Sequence, residues 1–277
     1  MPVIVMTDLS APPPLPNRAA RPPRHFVTLR VIVALMLREM STTYGRSFMG
    51  YLWAILEPVA GIALMSFLFA FGFRSPSIGT NFALFFASGI LPFSAYMDLH
   101  GKVSVAVRFS KPLLFYPGVT FVDALIARVL LNVITQILIS TILFAGIIQA
   151  FDLNVILNLP SIALGYAMAF SLAISIGTLN CYLLSVYPLW ERSWAILNRP
   201  LFLISCIFFT FDTVPQPYQD WLWWNPLVHV VGQTRAGIYA TYDASYVSPL
   251  FVFTVSGAVL ALGLMLLRRY HRDIINM

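Results

Sequence analysis

Six runs of mostly apolar residues, near 51–73, 81–100, 119–149, 160–187, 195–212 and 247–267, govern what this chain can fold into. Each holds about 18 residues or more, which at about 1.5 Å per helical residue matches a hydrocarbon layer about 30 Å thick. Composition agrees. Of the 277 residues, 59% are hydrophobic and 10% charged, and the mean hydropathy is +0.80. A soluble domain carries about 25% charged residues. That much apolar surface asks for a bilayer, so the fold class expected is an all-α integral membrane domain with six transmembrane helices.

The charges sit between the runs. With both ends placed inside, the inner segments hold Arg18, Arg21, Arg24, Arg30, Arg38, Arg46, Lys102, Arg108, Lys111, Arg192, Arg268, Arg269 and Arg272, while the outer segments hold Arg74 and Arg235. This asymmetry predicts cytoplasmic termini. A net charge of +6 distributed this way is a topology signal and no nucleic-acid patch. Residues 1–24 are rich in Pro and Ala and are expected to form a disordered cytoplasmic tail. In 25–46 the uncharged core is too short to span, and Arg30 and Arg38 flank it. This reads as an amphipathic helix in the interface, a helix buried against the other spans being the alternative. The membrane domain then covers 47–270, with a short tail at 271–277.

Two connections stand out. Residues 101–118 are short and basic, with Pro112 and Pro117 as breakers, and are expected to form a small helix at the membrane surface. Residues 212–246 carry Trp221, Trp223, Trp224, Tyr239, Tyr242 and Tyr246. They read as two short re-entrant helices before the last span, broken near Asn225-Pro226, with the aromatics at headgroup level.

No Walker phosphate loop, metal-ligand spacing or nucleophile elbow occurs. His25, His100, His229 and His271 are scattered and read as interfacial. Cys181 and Cys206 lie inside apolar runs and read as buried thiols. The chain is therefore expected to be no enzyme, to hold no metal or cofactor, and to draw any energy it uses from a partner.

Three stretches carry a resemblance: YGRSFMGYLWAILEPV from Tyr44, FASGILPFSAY from Phe86, and the basic loop RFSKPLLFYPGV from Arg108. In this order, after an interfacial helix, they resemble the permease subunit of type-2 ABC exporters of polysaccharide, nearest to the capsular-polysaccharide permeases. O-antigen and teichoic-acid permeases are cousins. The resemblance implies an inner-membrane homodimer joined to two ATP-binding subunits, which bind ATP and Mg. It implies export of a lipid-linked polysaccharide along the dimer axis, with periplasmic and outer-membrane capsule proteins as further partners. A permease for a drug or simple lipid and a membrane glycosyltransferase are the alternatives. For the transferase, Glu39, Glu57, Asp98, Asp123 and Glu191 are too scattered in sequence to suggest a site.

A separate ATPase must push on something. Arg38, Tyr44, Arg46, Lys102, Arg108 and Lys111 are the residues expected to dock it, the plainer alternative being contact with anionic lipid. A glycan path calls for aromatic faces. Tyr51, Trp53 and Phe67 on the first span, Phe202, Phe208, Phe209 and Phe211 on the fifth, and Trp221, Trp223 and Trp224 outside are the candidates for channel and exit, core packing being the alternative for each. Glu57 costs roughly 2.5 to 3.5 kcal/mol at mid-span, and Pro58 frees a carbonyl that tolerates only protein or water nearby. That face of the first span should look toward protein or an aqueous path, with Arg128 or Arg199 as a partner of Glu57, a structural Glu hydrogen-bonded to a neighbouring helix being the alternative. Gly165, Gly177 and the alanines of 163–173 read as helix-packing positions.

Overall fold

The computed structural model describes residues 24–43, 49–114 and 119–276. The expected tail at 1–23 and the docking candidates Tyr44 and Arg46 lie outside the described residues. Tyr51 belongs to a described helix, but its side chain does not belong to the described part.

Among the described residues ten α-helices follow in chain order: α1 (Arg24–Thr43), α2 (Met49–Gly72), α3 (Phe82–Ser104), α4 (Ala106–Leu114), α5 (Phe121–Ala150), α6 (Leu159–Val186), α7 (Trp190–Ile204), α8 (Tyr218–Trp223), α9 (Pro226–Ile238) and α10 (Pro249–Asn276). Their starts are written locally. The Asn81 side chain accepts the Leu84 N–H at 3.1 Å. Thr120 and Asp123 form a capping box, each accepting from the backbone of the other. Asn225 caps α9, whose first residue is Pro226. Asp123, a carboxylate next to an apolar run, is thus explained by helix initiation.

α3 is the axis of the fold. Phe85, Phe86, Ala87, Tyr96, Leu99 and Val103 are almost wholly buried, because α6, α9, α5 and α2 all pack on this helix. α6 is the second hub and carries α10 along its length. Glycines permit the closest approaches: a Cβ on Gly177 would stand 2.8 Å from the Cβ of Val103 and 3.0 Å from the His100 carbonyl. The reading of Gly165 and Gly177 as packing positions holds, since Gly165 lies equally tight against Thr234. α1 lays Ile32, Leu35 and Glu39 on α5 and leaves Leu29, Val33 and Leu37 exposed on its other side.

Among the described residues five segments are long and apolar enough to cross a bilayer: Leu52–Gly72, Phe82–Leu114, Phe121–Ala150, Leu159–Val186 and Pro249–Tyr270. The run expected at 195–212 does not form one helix. α7 begins earlier, at Trp190, and stops at Ile204 after 15 residues, about 22 Å at 1.5 Å per residue. The backbone then unwinds. Cys206 takes the left-handed conformation at φ 56°, and a single 3-10 turn follows at Phe211–Thr213. α7 nonetheless runs antiparallel to α3. Trp194 donates from Nε1 to His100 Nε2 at 2.9 Å, the Phe202 ring stands 5.4 Å from Phe93, and Phe208 reaches Phe86 at 6.3 Å.

The segment after α7 breaks at Asn225-Pro226 as the sequence predicts, but its parts differ in setting. Tyr218, Trp221 and Trp224 are exposed. Trp223 is drawn inward and donates to the Tyr246 carbonyl at 3.0 Å. α9 is core: Val228, Val230 and Val231 are fully buried, against α6 and α3. Two histidines read as interfacial are also interior. His100 stacks on Tyr96, and His229 is fully buried. The cysteines are free and buried, as expected.

Candidate functional site

Between α2, α3 and α5 the helices leave a cavity of about 620 Å³, with Phe202 of α7 at its edge. Its wall combines two kinds of side chain. Trp53, Phe93 and Phe202 supply flat apolar faces. Glu57, Asp98, Lys102, Asn132, Thr135 and Gln136 supply polar groups. Three candidates far apart in sequence, Trp53, Glu57 and Phe202, thereby meet in one place. Pro58 and Ala54 are in the same wall, so the carbonyl of Ala54, which Pro58 leaves without an intrahelical donor, lies on the polar side.

The polar groups are organised. Gln136 donates from Nε2 to Asp98 at 2.5 Å, and Asn132 donates to the Arg128 carbonyl one turn earlier at 2.8 Å. Glu57, Asp98 and Lys102 line this same wall. The expected partners of Glu57 are not found. Among the described residues Glu57 forms no ion pair with Arg128 or Arg199. Arg128 is instead committed to Glu39 of α1 at 3.2 Å. Asp98, Asn132 and Gln136 were missed as site residues. The signal for two of them was available: Arg128, Asn132 and Gln136 recur every fourth residue, one face of a helix.

The remaining aromatic candidates divide. Phe208 joins Phe69, Phe86 and Phe202 in an interior cluster. Phe211 is stacked on Tyr246 at 4.1 Å and, like Trp223, packs the interior. Phe209 and Trp221 line a second, separate cleft of about 670 Å³ at the end of α7. Phe67 is exposed, and its ring meets Phe71 of the same helix edge to face. Trp224 is exposed and touches Trp223 and Phe251 at its edge.

Arg235 was read as an outer-segment charge, and the structure buries it completely. Its guanidinium donates to three main-chain carbonyls of the unwound segment, those of Cys206 at 2.6 Å, Ile207 at 2.7 Å and Phe209 at 2.8 Å. It also lies over the Phe85 ring at 4.5 Å. The unwound backbone beyond Ile204 leaves carbonyls without intrahelical donors, and a forked cation nearly thirty residues later supplies them. Nearby, the Ser248 N–H donates to His229 Nδ1, so Nε2 carries the proton and donates to the Trp223 carbonyl at 2.8 Å. Burial lowers the His229 pKa, against a smaller upward pull from that carbonyl, and the ring stays neutral.

At the α4 end, the docking candidates behave differently from one another. Arg108 pairs with Glu191 of α7 at 3.5 Å, both side chains largely in solvent. Lys111 is partly exposed on α4. Arg38 turns inward over the Phe109 ring at 5.3 Å, and Lys102 faces the cavity. Arg108 and Lys111 are therefore the outward charges of this face.

The chain matches no family model. Its similarity to individual proteins is decisive. It is 30% identical over 237 residues to the polysialic acid transport protein KpsM of Escherichia coli, covering 86% of this chain and 92% of that protein. The chain belongs to the type-2 ABC permeases of capsule-polysaccharide export. Two other relatives of this permease are the capsule polysaccharide export inner-membrane proteins CtrC of Neisseria meningitidis serogroup A, 23% identical over 246 residues, and BexB of Haemophilus influenzae, 25% identical over 247. In both cases 88% of the permease and 92% of the relative are covered.

Proposed function

We propose that two copies of this permease, with two cytoplasmic ATP-binding subunits, move lipid-linked capsular polysaccharide across the inner membrane. The cavity between α2, α3 and α5 is the part of the path that one copy carries by itself. The observation that carries this reading is the meeting of Trp53, Phe93 and Phe202 with Glu57, Asp98 and Gln136 inside a bundle of spanning helices. Flat aromatic faces stack on sugar rings, and carboxylates and amides accept and donate to their hydroxyls. A path for a simple lipid would need no such polar wall.

A sixth crossing supports the same reading. α7 and the unwound segment follow α3 from His100 to Phe86, 14 residues of α3 or about 21 Å of height. With this crossing the count is even, and both termini lie in the cytoplasm, as the charge asymmetry asks. α4 then faces the ATP-binding subunits, which hold ATP and its magnesium, and Arg108 and Lys111 are offered to them. α1 lies in the inner interface with Leu29, Val33 and Leu37 toward lipid. α8 and α9 re-enter from the outer side, where Trp221 and Trp224 border the exit and periplasmic partners receive the polymer. α2 buries only 6% of its span inside the chain, against 72% for α3, and the mate copy covers it.

Deletion of the gene tests the function. Polymer accumulating in the cytoplasm with none at the surface is the expected result. Loss of polymer synthesis would point to a glycosyltransferase and end this reading.

A further inference from the structure

We propose that Arg128 is the positioning residue that fastens the interfacial helix and α4 to α5, so that a push on α4 reaches the cavity wall. The inference rests on the reading of α4 as the ATPase-facing helix.

Four elements converge on this one side chain, which is buried to the same extent as its carboxylate partner. From α5 its Nε donates to Glu39 of α1 at 3.2 Å. Its Nη1 donates to the Lys102 carbonyl, in the last turn of α3, at 2.6 Å. Its guanidinium plane covers the Phe109 ring of α4 at 4.2 Å, and Arg38 of α1 lies over the same ring at 5.3 Å. Phe109 is thus touched by a cation from α5 and a cation from α1. A planar fork that donates at two edges and stacks on its face does what an ammonium cannot. Buried on both sides, the ion pair holds α1 in one register on α5, because a slip of one turn would strand both charges out of water.

The line continues along α5. Arg128, Asn132 and Gln136 are spaced four apart, on one face. Asn132 donates to the Arg128 carbonyl, and Gln136 holds Asp98. Both amides are in the cavity wall. α5 is an unbroken helix over this stretch, so a displacement at Phe109 is carried two turns to the polar wall without passing through a loop. The cluster and the cavity are the two ends of one polar stripe.

The test uses the complete complex of permease and ATP-binding subunits, reconstituted in lipid, with the variants Arg128→Lys and Phe109→Leu. Arg128→Lys keeps the charge and loses the fork. Phe109→Leu removes the stacking face and leaves the Arg128–Glu39 ion pair intact, so it remains informative if the lysine variant fails to assemble. Three quantities are read: recovery of ATP-binding subunits with the permease, ATP turnover, and polymer exported per ATP. Recovery and turnover are expected within twofold of the unaltered complex. Export per ATP is expected to fall tenfold or more for Arg128→Lys and about threefold for Phe109→Leu. Unchanged export per ATP with an intact complex would overturn the inference and leave the proposed function standing. Loss of the ATP-binding subunits in both variants would also overturn it, since Arg128 would then belong to the docking surface. An unaltered permease that recovers no ATP-binding subunit would instead sink the proposed function.

Discussion

Two buried arginines house their charge in opposite ways. Arg128, at the α4 end, meets a carboxylate, one carbonyl and a ring. Arg235, toward the other end of α3, meets three carbonyls, a ring and, at 3.4 Å, the Ser88 hydroxyl, and has no acid within ion-pair distance among the described residues. The first joins separate helices through a pair of charges. The second compensates one stretch of broken helix with a lone cation. An ion pair can be deleted as a pair, whereas a cation bonded to main chain has no partner that mutation can remove with it.

The largest effect should come from Arg235→Met. Three carbonyls, two of them on fully buried residues, would lose their donors at about 1–3 kcal/mol each, a large share of the stability of an ordinary domain. Little folded protein should be recovered from membranes; normal recovery would mean that water or another donor replaces the guanidinium.

Next comes Glu39→Gln, which leaves a buried cation without its counter-ion and should cost about 3–5 kcal/mol. The sharper form is the double variant Glu39→Leu with Arg128→Met. Thermal unfolding in detergent should show most of that loss recovered, since an apolar pair of similar size often matches a buried ion pair. A double variant as unstable as the single one would erase the contrast between the two arginines.

His229 separates the outer region by pH. Its folded pKa lies below the usual value, so the folded state binds fewer protons than the unfolded state. Stability should therefore decline as pH falls through about 6.5 and below. Unfolding temperatures at pH 7.5 and 5.5 should differ for the unaltered chain and differ less for His229→Gln. Equal slopes would remove the histidine from the account.

The smallest effect belongs to Glu191→Gln. The Arg108–Glu191 pair is exposed, and its loss should change stability by at most about 1 kcal/mol. A larger loss would show that this pair is sheltered in the assembled complex, and then the docking face extends onto α7.

Several parts of this architecture were legible in the chain. The apolar runs matched α2, α3, α5 and α6 to within a few residues, since a membrane helix is dictated by length and hydropathy; α10 starts close to where its run does and continues nine residues past it, to Asn276. Asn225-Pro226 announced the break before α9 through cap and ring chemistry. The end of α7 was not legible. Its apolar run continues to 212, and what permits the backbone to unwind at Cys206 is a side chain twenty-nine residues away. The partner of Arg128 was hidden for the same reason, since Glu39 lies eighty-nine residues earlier. Trp223 and Phe211 show the limit of reading aromatics by type: one was expected outside and the other on the fifth span, and the Tyr246 loop draws both inward. For Glu57, hydropathy announced a polar path but not its furnishing by Asp98 and Gln136.

α2 has a consequence of its own. Most of its surface is bare within the chain, and it rests chiefly on α3, yet it supplies Trp53 and Glu57 to the cavity. A wall so lightly attached can lean outward while the frame behind it stays rigid. In the proposed conduit for a long polymer, such compliance on one side is worth more than a close fit, because the bore adjusts without being rebuilt.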